Sequence, residues 1–113
     1  MEKLVIIDSC MRAESRTRRI LNAAREVLST RYDIEIIDVN AAGLLPLTPE
    51  GLAERTSGIV PEPTLKLAKT IAAADRLVVA APFWDMSFPA ALKAFFENMS
   101  LYGVTFEDNG HTC

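Results

Sequence analysis

At 113 residues, half of them apolar, the chain has enough for one packed domain and no more. Its net charge of −3 speaks against broad nucleic-acid binding, which needs a basic surface to release counterions. No run of 18 apolar residues occurs, and acidic Glu2 precedes only a short apolar segment, so the expectation is neither a membrane span nor a signal peptide, and a cytoplasmic location.

Residues 3–8, KLVIID, form a nearly continuous apolar run, the pattern of a parallel strand covered on both faces. After the polar stretch SCMRAESRT, the positions Ile20, Leu21, Ala24, Val27 and Leu28 draw one apolar stripe on a helix that begins at Thr17. Residues 33–39, DIEIIDV, return to strand character. From Asn40 to Pro63, four prolines (Pro46, Pro49, Pro61, Pro63) interrupt the chain, which predicts a long surface loop with at most a turn or two of helix in PEGLAER. Leu67, Ala68, Ile71 and Ala74 mark a second helix, and Arg76 to Pro82 a third strand. A third helix opens at Pro89, carries Leu92, Phe95, Phe96 and Met99 on one face, and is expected to stop at Gly103.

The order β-α-β-α-β-α predicts an α/β domain with a doubly wound parallel sheet and right-handed crossovers. Ligands of such sheets bind beyond the carboxyl ends of the strands, where strand order reverses. For the order 2-1-3 that point lies between strands one and three, so the loops Ser9–Thr17 and Pro82–Ser87 should meet there.

Two features of these loops bear on chemistry. The first precedes a helix N-terminus, whose unpaired N–H groups and dipole favour an anion. Ser9, Ser15 and Thr17 add hydroxyls, and six arginines lie between Arg12 and Arg31 against Glu14 and Glu26. Arg18, Arg19 and Arg25 are expected on a solvated helix face, and Ser15 or Thr17 has the simpler alternative role of a helix cap. Without glycine, the loop is neither a Walker loop nor a dinucleotide fingerprint. The second loop carries Phe83, Trp84 and Met86, an apolar composition suited either to a flat ring or to the core or an interface.

The first loop also satisfies C-x5-R-T from Cys10 to Thr17, which resembles the phosphate loop of tyrosine phosphatases; there Cys10 is the nucleophile and Arg16 the phosphoryl clamp. The loop departs from that pattern in lacking glycine and in placing Glu14 beside the anion. Cys10 and Cys113 show no metal-ligand spacing and are expected to be free thiols, and His111, the lone histidine, is a poor candidate for a general base.

IIDSCMRAESRT followed by APFWDMSFPAALKAFFENMSLYGVTF resembles the flavodoxin-like NAD(P)H:quinone oxidoreductases, a group that includes FMN-dependent azoreductases. The resemblance implies a flavodoxin-like fold, non-covalent FMN, NAD(P)H as co-substrate, a quinone or azo acceptor and a homodimer. Carried over by residue, Ser9, Ser15, Arg16 and Thr17 take the FMN phosphate, and Phe83, Trp84, Asp85 and Met86 hold the flavin ring. The resemblance leaves no protein side chain as acid or base. Family members commonly have Asn where this chain has Asp85. They also continue through two further strands and a third flavin-contacting loop, so residues 1–113 are expected to be a single incomplete domain whose third strand is an open edge. A non-catalytic remnant of the fold is the alternative.

Overall fold

The apolar run near the N-terminus becomes β1 (Glu2–Asp8), the middle strand of a parallel three-stranded sheet ordered β2-β1-β3 in a computed structural model that describes residues 1–107. The expectations for His111 and Cys113 lie outside those residues. β1 pairs with β2 (Tyr32–Asp38) from Glu2↔Tyr32 to Asp8↔Asp38, and with β3 (Arg76–Ala80) from Leu4↔Arg76 to Asp8↔Ala80. The predicted strand order is therefore the observed one.

Alternation along β1 divides the core between two faces. Leu4 and Ile6 pack with Leu21 of α1 (Arg16–Leu28) and with Ala80. Val5 and Ile7 pack on the opposite side with Ala68 of α4 (Glu62–Ala72) and with Leu92, Phe95 and Met99 of α5 (Ala90–Met99). Helices thus cover both faces, the arrangement that a parallel strand buried on two sides requires.

Several boundaries differ from those the sequence predicts. In α1, Leu21 is buried and Ala24 and Leu28 partly so, but Ile20 and Val27 are exposed. These two stand seven residues apart on the flank of the helix, beside the stripe that meets the sheet rather than within it. The stretch from Asn40 to Pro63 is not one long loop: it holds α2 (Val39–Ala42), α3 (Pro49–Thr56) and the start of α4. The starts of α2 and α3 are capped by side chains, and the prolines of α3 and α4 fall where a helix tolerates them. The Asp38 carboxylate accepts from the amides of Asn40 (3.0 Å) and Ala41 (3.2 Å), and the Thr48 hydroxyl accepts from Gly51, while Pro49 and Pro63 sit in first turns where no N–H is missed.

β3 ends at Ala80, short of Pro82. α5 ends at Met99, earlier than Gly103, because Ser100 leaves helical geometry at ψ 81°. Gly103, at φ +80°, instead serves the turn after the helix, where its amide donates to Phe106. The last carbonyls of α5 are met by a side chain from α3, the guanidinium of Arg55.

β3 is an open edge among the described residues, and its Leu77 and Val79, which face the α4 and α5 side, stay about half exposed. No helix among the described residues is long and apolar enough to cross a membrane. No cluster of His, Cys, Asp and Glu among them could hold a metal ion.

Candidate functional site

The two loops meet beyond the carboxyl ends of β1 and β3. Around a cavity of about 630 Å³ stand Met11, Arg12, Glu14, Ser15, Arg16 and Thr17 from the first loop, and Pro82, Phe83, Trp84 and Asp85 from the second. That volume falls within the roughly 300–1,000 Å³ of small-molecule sites.

The ends of the two strands are fastened at one point. Ser9 is fully buried, and both its amide (3.0 Å) and its hydroxyl (2.7 Å) donate to the Ala80 carbonyl. The loop after Ser9 is held from beneath. The Asp8 carboxylate accepts from the Cys10 amide at 2.9 Å, and its other oxygen lies 3.4 Å from Arg18 Nε. The Arg18 guanidinium then donates to the carbonyls of Cys10 (2.9 Å) and Arg12 (3.4 Å), and Asn40 Nδ2 donates to the same Cys10 carbonyl at 3.1 Å.

At the start of α1 the Ser15 hydroxyl accepts from the Arg18 amide at 3.2 Å, while its carbonyl accepts from Arg19. The expected cap is therefore Ser15. The amides of Arg16 and Thr17, which begin the helix, are left without an intrahelical acceptor at the cavity wall. Two donors, the dipole of a thirteen-residue helix and the side chains of Arg12 and Arg16 make this end of the cavity a place for an anion.

The second loop is a tight reversal. Trp84 and Ser87 exchange backbone bonds of 2.6 and 2.8 Å, and the two residues between them, Asp85 and Met86, take φ +45° and +69°. Positive φ at both central positions is the hairpin-turn conformation that Asn-Gly adopts readily and that a side chain such as Met resists. Phe83 and Trp84, 75% and 43% exposed, stand at the wall that this turn builds. Behind the turn, Phe88 meets Phe96 of α5 edge to face at 6.4 Å, which ties the loop to the helix.

Of the residues that the sequence singles out, Ser15, Arg16, Thr17, Phe83, Trp84 and Asp85 come together on the cavity wall. Ser9 lies beneath the loop with its hydroxyl donated, and Met86 is largely exposed and is not among the residues that line the cavity. Arg18 corrects an expectation: it is no solvated arginine of the helix face but the brace of the first loop. Sequence reasoning misses Asn40 and Asp8 altogether. Asp38, two residues before Asn40 at the end of a strand, is the one signal that points toward Asn40, since an Asx cap orients the residues just after it.

Cys10 corrects the phosphatase alternative. Its side chain is buried, it does not line the cavity, and burial pushes its thiol above the ordinary range, with the Asp8 carboxylate adding to the effect against the contrary pull of Ser15. A nucleophilic cysteine needs the opposite, an accessible thiolate.

The donor set suits a phosphomonoester at one end and a flat aromatic body at the other, which fits the FMN that the sequence resemblance implies. The Asp85 carboxylate opposes an anionic ligand from the aromatic side of the wall, as Glu14 does from the first loop.

A family model described as flavodoxin-like fold matches residues 1–112. The FMN-dependent NADH:quinone oxidoreductase of Lachnoclostridium phytofermentans is 31% identical over 116 residues, covering 94% of this chain and 58% of that protein. FMN-dependent NADH:quinone oxidoreductase 2 of Clostridium acetobutylicum is 51% identical over 43 residues, covering 38% of this chain and 22% of that protein. Among solved structures, the NAD(P)H:quinone oxidoreductase from Methanothermobacter marburgensis superposes with a TM-score of 0.78 at 24% identity, over 93% of this chain and 55% of that one. Azoreductase from Bacillus anthracis gives a TM-score of 0.76 at 16% identity, over 95% and 59%. The structural likeness, at these identities, shows the fold. The chain spans less than two thirds of the length of each of these proteins.

Proposed function

Since the chain belongs to the flavodoxin-like fold family, whose model matches its residues 1–112, we propose that it binds FMN non-covalently and serves as an NAD(P)H-dependent oxidoreductase with a quinone or azo acceptor. The observation that carries the reading is the convergence of the α1 N-terminus and the Phe83–Trp84 loop on one cavity at the point where strand order reverses. Bound there, FMN would supply the hydride chemistry that no side chain of the protein offers.

The protein's part is to hold and orient. The amides of Arg16 and Thr17 and the guanidinium of Arg16 take the phosphate, with Ser15 capping the helix that presents them. Phe83 and Trp84 line the ring and exclude water from one side of it, and Asp85 faces its polar edge. Ser9 serves by fastening the loop ends, and Met86 by completing the turn.

A homodimer in the cytoplasm belongs to the same proposal. It is supported by the open edge of β3 and by a groove of about 830 Å³ between α3, α5 and the following turn, where Leu52, Phe96, Tyr102 and Phe106 are exposed. Sedimentation of the purified chain at tens of micromolar checks this part, a single monomer peak removing it.

The central test is an FMN titration followed by quenching of flavin fluorescence. Saturation at micromolar FMN, lost in Trp84→Ala, supports the proposal. Absence of binding up to about a millimolar, roughly −4 kcal/mol, leaves a chain that keeps the fold without the activity.

A further inference from the structure

An anion-binding loop has to present N–H groups and keep its carbonyl oxygens turned away, because each carbonyl facing the cavity would repel a phosphate. The first loop achieves this with two side chains that are not themselves on the cavity wall. The Cys10 carbonyl is held by donors from two separate elements, Arg18 Nη2 of α1 at 2.9 Å and Asn40 Nδ2 of α2 at 3.1 Å. The Arg12 carbonyl is held by Arg18 Nη1 at 3.4 Å and by the Ser15 amide at 3.2 Å.

Both braces are themselves aimed. Arg18 Nε lies 3.4 Å from the mostly buried carboxylate of Asp8, at the end of β1. The start of α2 is fixed by the Asp38 cap, which accepts from the Asn40 amide. The charge of Arg18 is thus answered locally by Asp8, so its contribution to the site is geometric rather than a direct pull on the ligand.

We propose that Arg18 and Asn40 are positioning residues that make the site discriminate a phosphorylated flavin from its dephosphorylated form, by locking the carbonyls of Cys10 and Arg12 away from the phosphate. The inference rests on the FMN reading above. A planar fork is needed to reach Asp8 and two carbonyls at once, and a lysine ammonium cannot span all three.

The test compares the dissociation constants of FMN and riboflavin for the wild-type chain, Arg18→Lys and Asn40→Ala. In both variants FMN should weaken by roughly ten-fold while riboflavin is unchanged, so that the preference for the phosphorylated flavin collapses. Unaltered FMN binding in both variants overturns the inference. Equal weakening of the two flavins overturns it as well, since the braces would then serve folding alone. A wild-type chain that binds neither flavin overturns the proposed function instead, and the loop is then read with inorganic phosphate through the amide NMR shifts of Arg16 and Thr17. Shifts lost in Arg18→Lys support the positioning role, and equal shifts in all three chains overturn it.

Discussion

The guanidinium of Arg55 in α3 donates to the Glu97 carbonyl at 2.8 Å, and reaches the carbonyls of Asn98 and Ser100 at 3.3 Å each. One cation from a helix that buries none of its residues thereby closes the C-terminus of the helix that supplies Leu92, Phe95 and Met99 to the core. Arg55→Met, which keeps an apolar stem and removes the donors, should cost about 2 kcal/mol. Urea denaturation of the two chains checks it, with the loss appearing in the midpoint rather than the slope.

Met86 occupies a left-handed conformation at φ +69° with its side chain in solvent, so it bears backbone strain without burial in return. Met86→Gly should therefore stabilise the protein by roughly 1 kcal/mol. A rise in melting temperature is the expected result, and an unchanged or lowered one would count against the strain.

The buried thiol of Cys10 should resist alkylation at neutral pH and react only as the protein unfolds. In a Cys113→Ser background, iodoacetamide labelling at a fixed reagent concentration should therefore be very slow in the native protein and rise with denaturant across the unfolding transition. The same raised pKa sets a pH dependence. A group that holds its proton more tightly when folded contributes fully below its unfolded value and progressively less as pH rises through its folded one, so stability should fall from about pH 9 upward. Lys3, raised by its partners Glu35 and Asp33, has the same sign above pH 10.5. Cys10→Ala should flatten the lower part of that decline.

Asp85 shares the cavity with Arg12 and Arg16 and brings a negative charge to the wall where the flavin is proposed to lie. Asp85→Asn removes that charge and eases the turn, because Asn tolerates positive φ well. FMN should bind roughly three-fold tighter, the scale of a solvent-exposed charge interaction. The bound flavin should also become easier to reduce, as followed in a dye-coupled titration.

The sheet is legible in the sequence because its signals are local. KLVIID has no polar interruption between Leu4 and Ile7, and the helix-length spacing between strands points to a parallel sheet, while the 2-1-3 order that the structure shows is what the flavodoxin-like resemblance implies. The meeting of Ser15, Arg16 and Thr17 with Phe83, Trp84 and Asp85 comes from that order. The braces do not, because Arg18 and Asn40 act through backbone carbonyls, which have no residue signature. A spacing of 30 residues between Asn40 and Cys10 carries no pattern that periodicity can detect. The prolines between Asn40 and Pro63 mislead for a related reason: they look like breakers, whereas Pro49 and Pro63 stand at first turns, where the missing N–H costs nothing.

The pair of hydrogen bonds that Ser9 donates to the Ala80 carbonyl has a kinetic side. It joins residues 71 positions apart, and the cavity walls from the two loops come together only when β3 has docked beside β1. Closing so long a loop is among the slow events of folding, and an intermediate with β1, α1 and β2 alone would possess the helix N-terminus but not the aromatic wall. Ligand capture would then report that the most distant strand pairing is complete. During synthesis or refolding, a ligand present in the medium would select chains that have finished over those that have not, and hold them there by mass action.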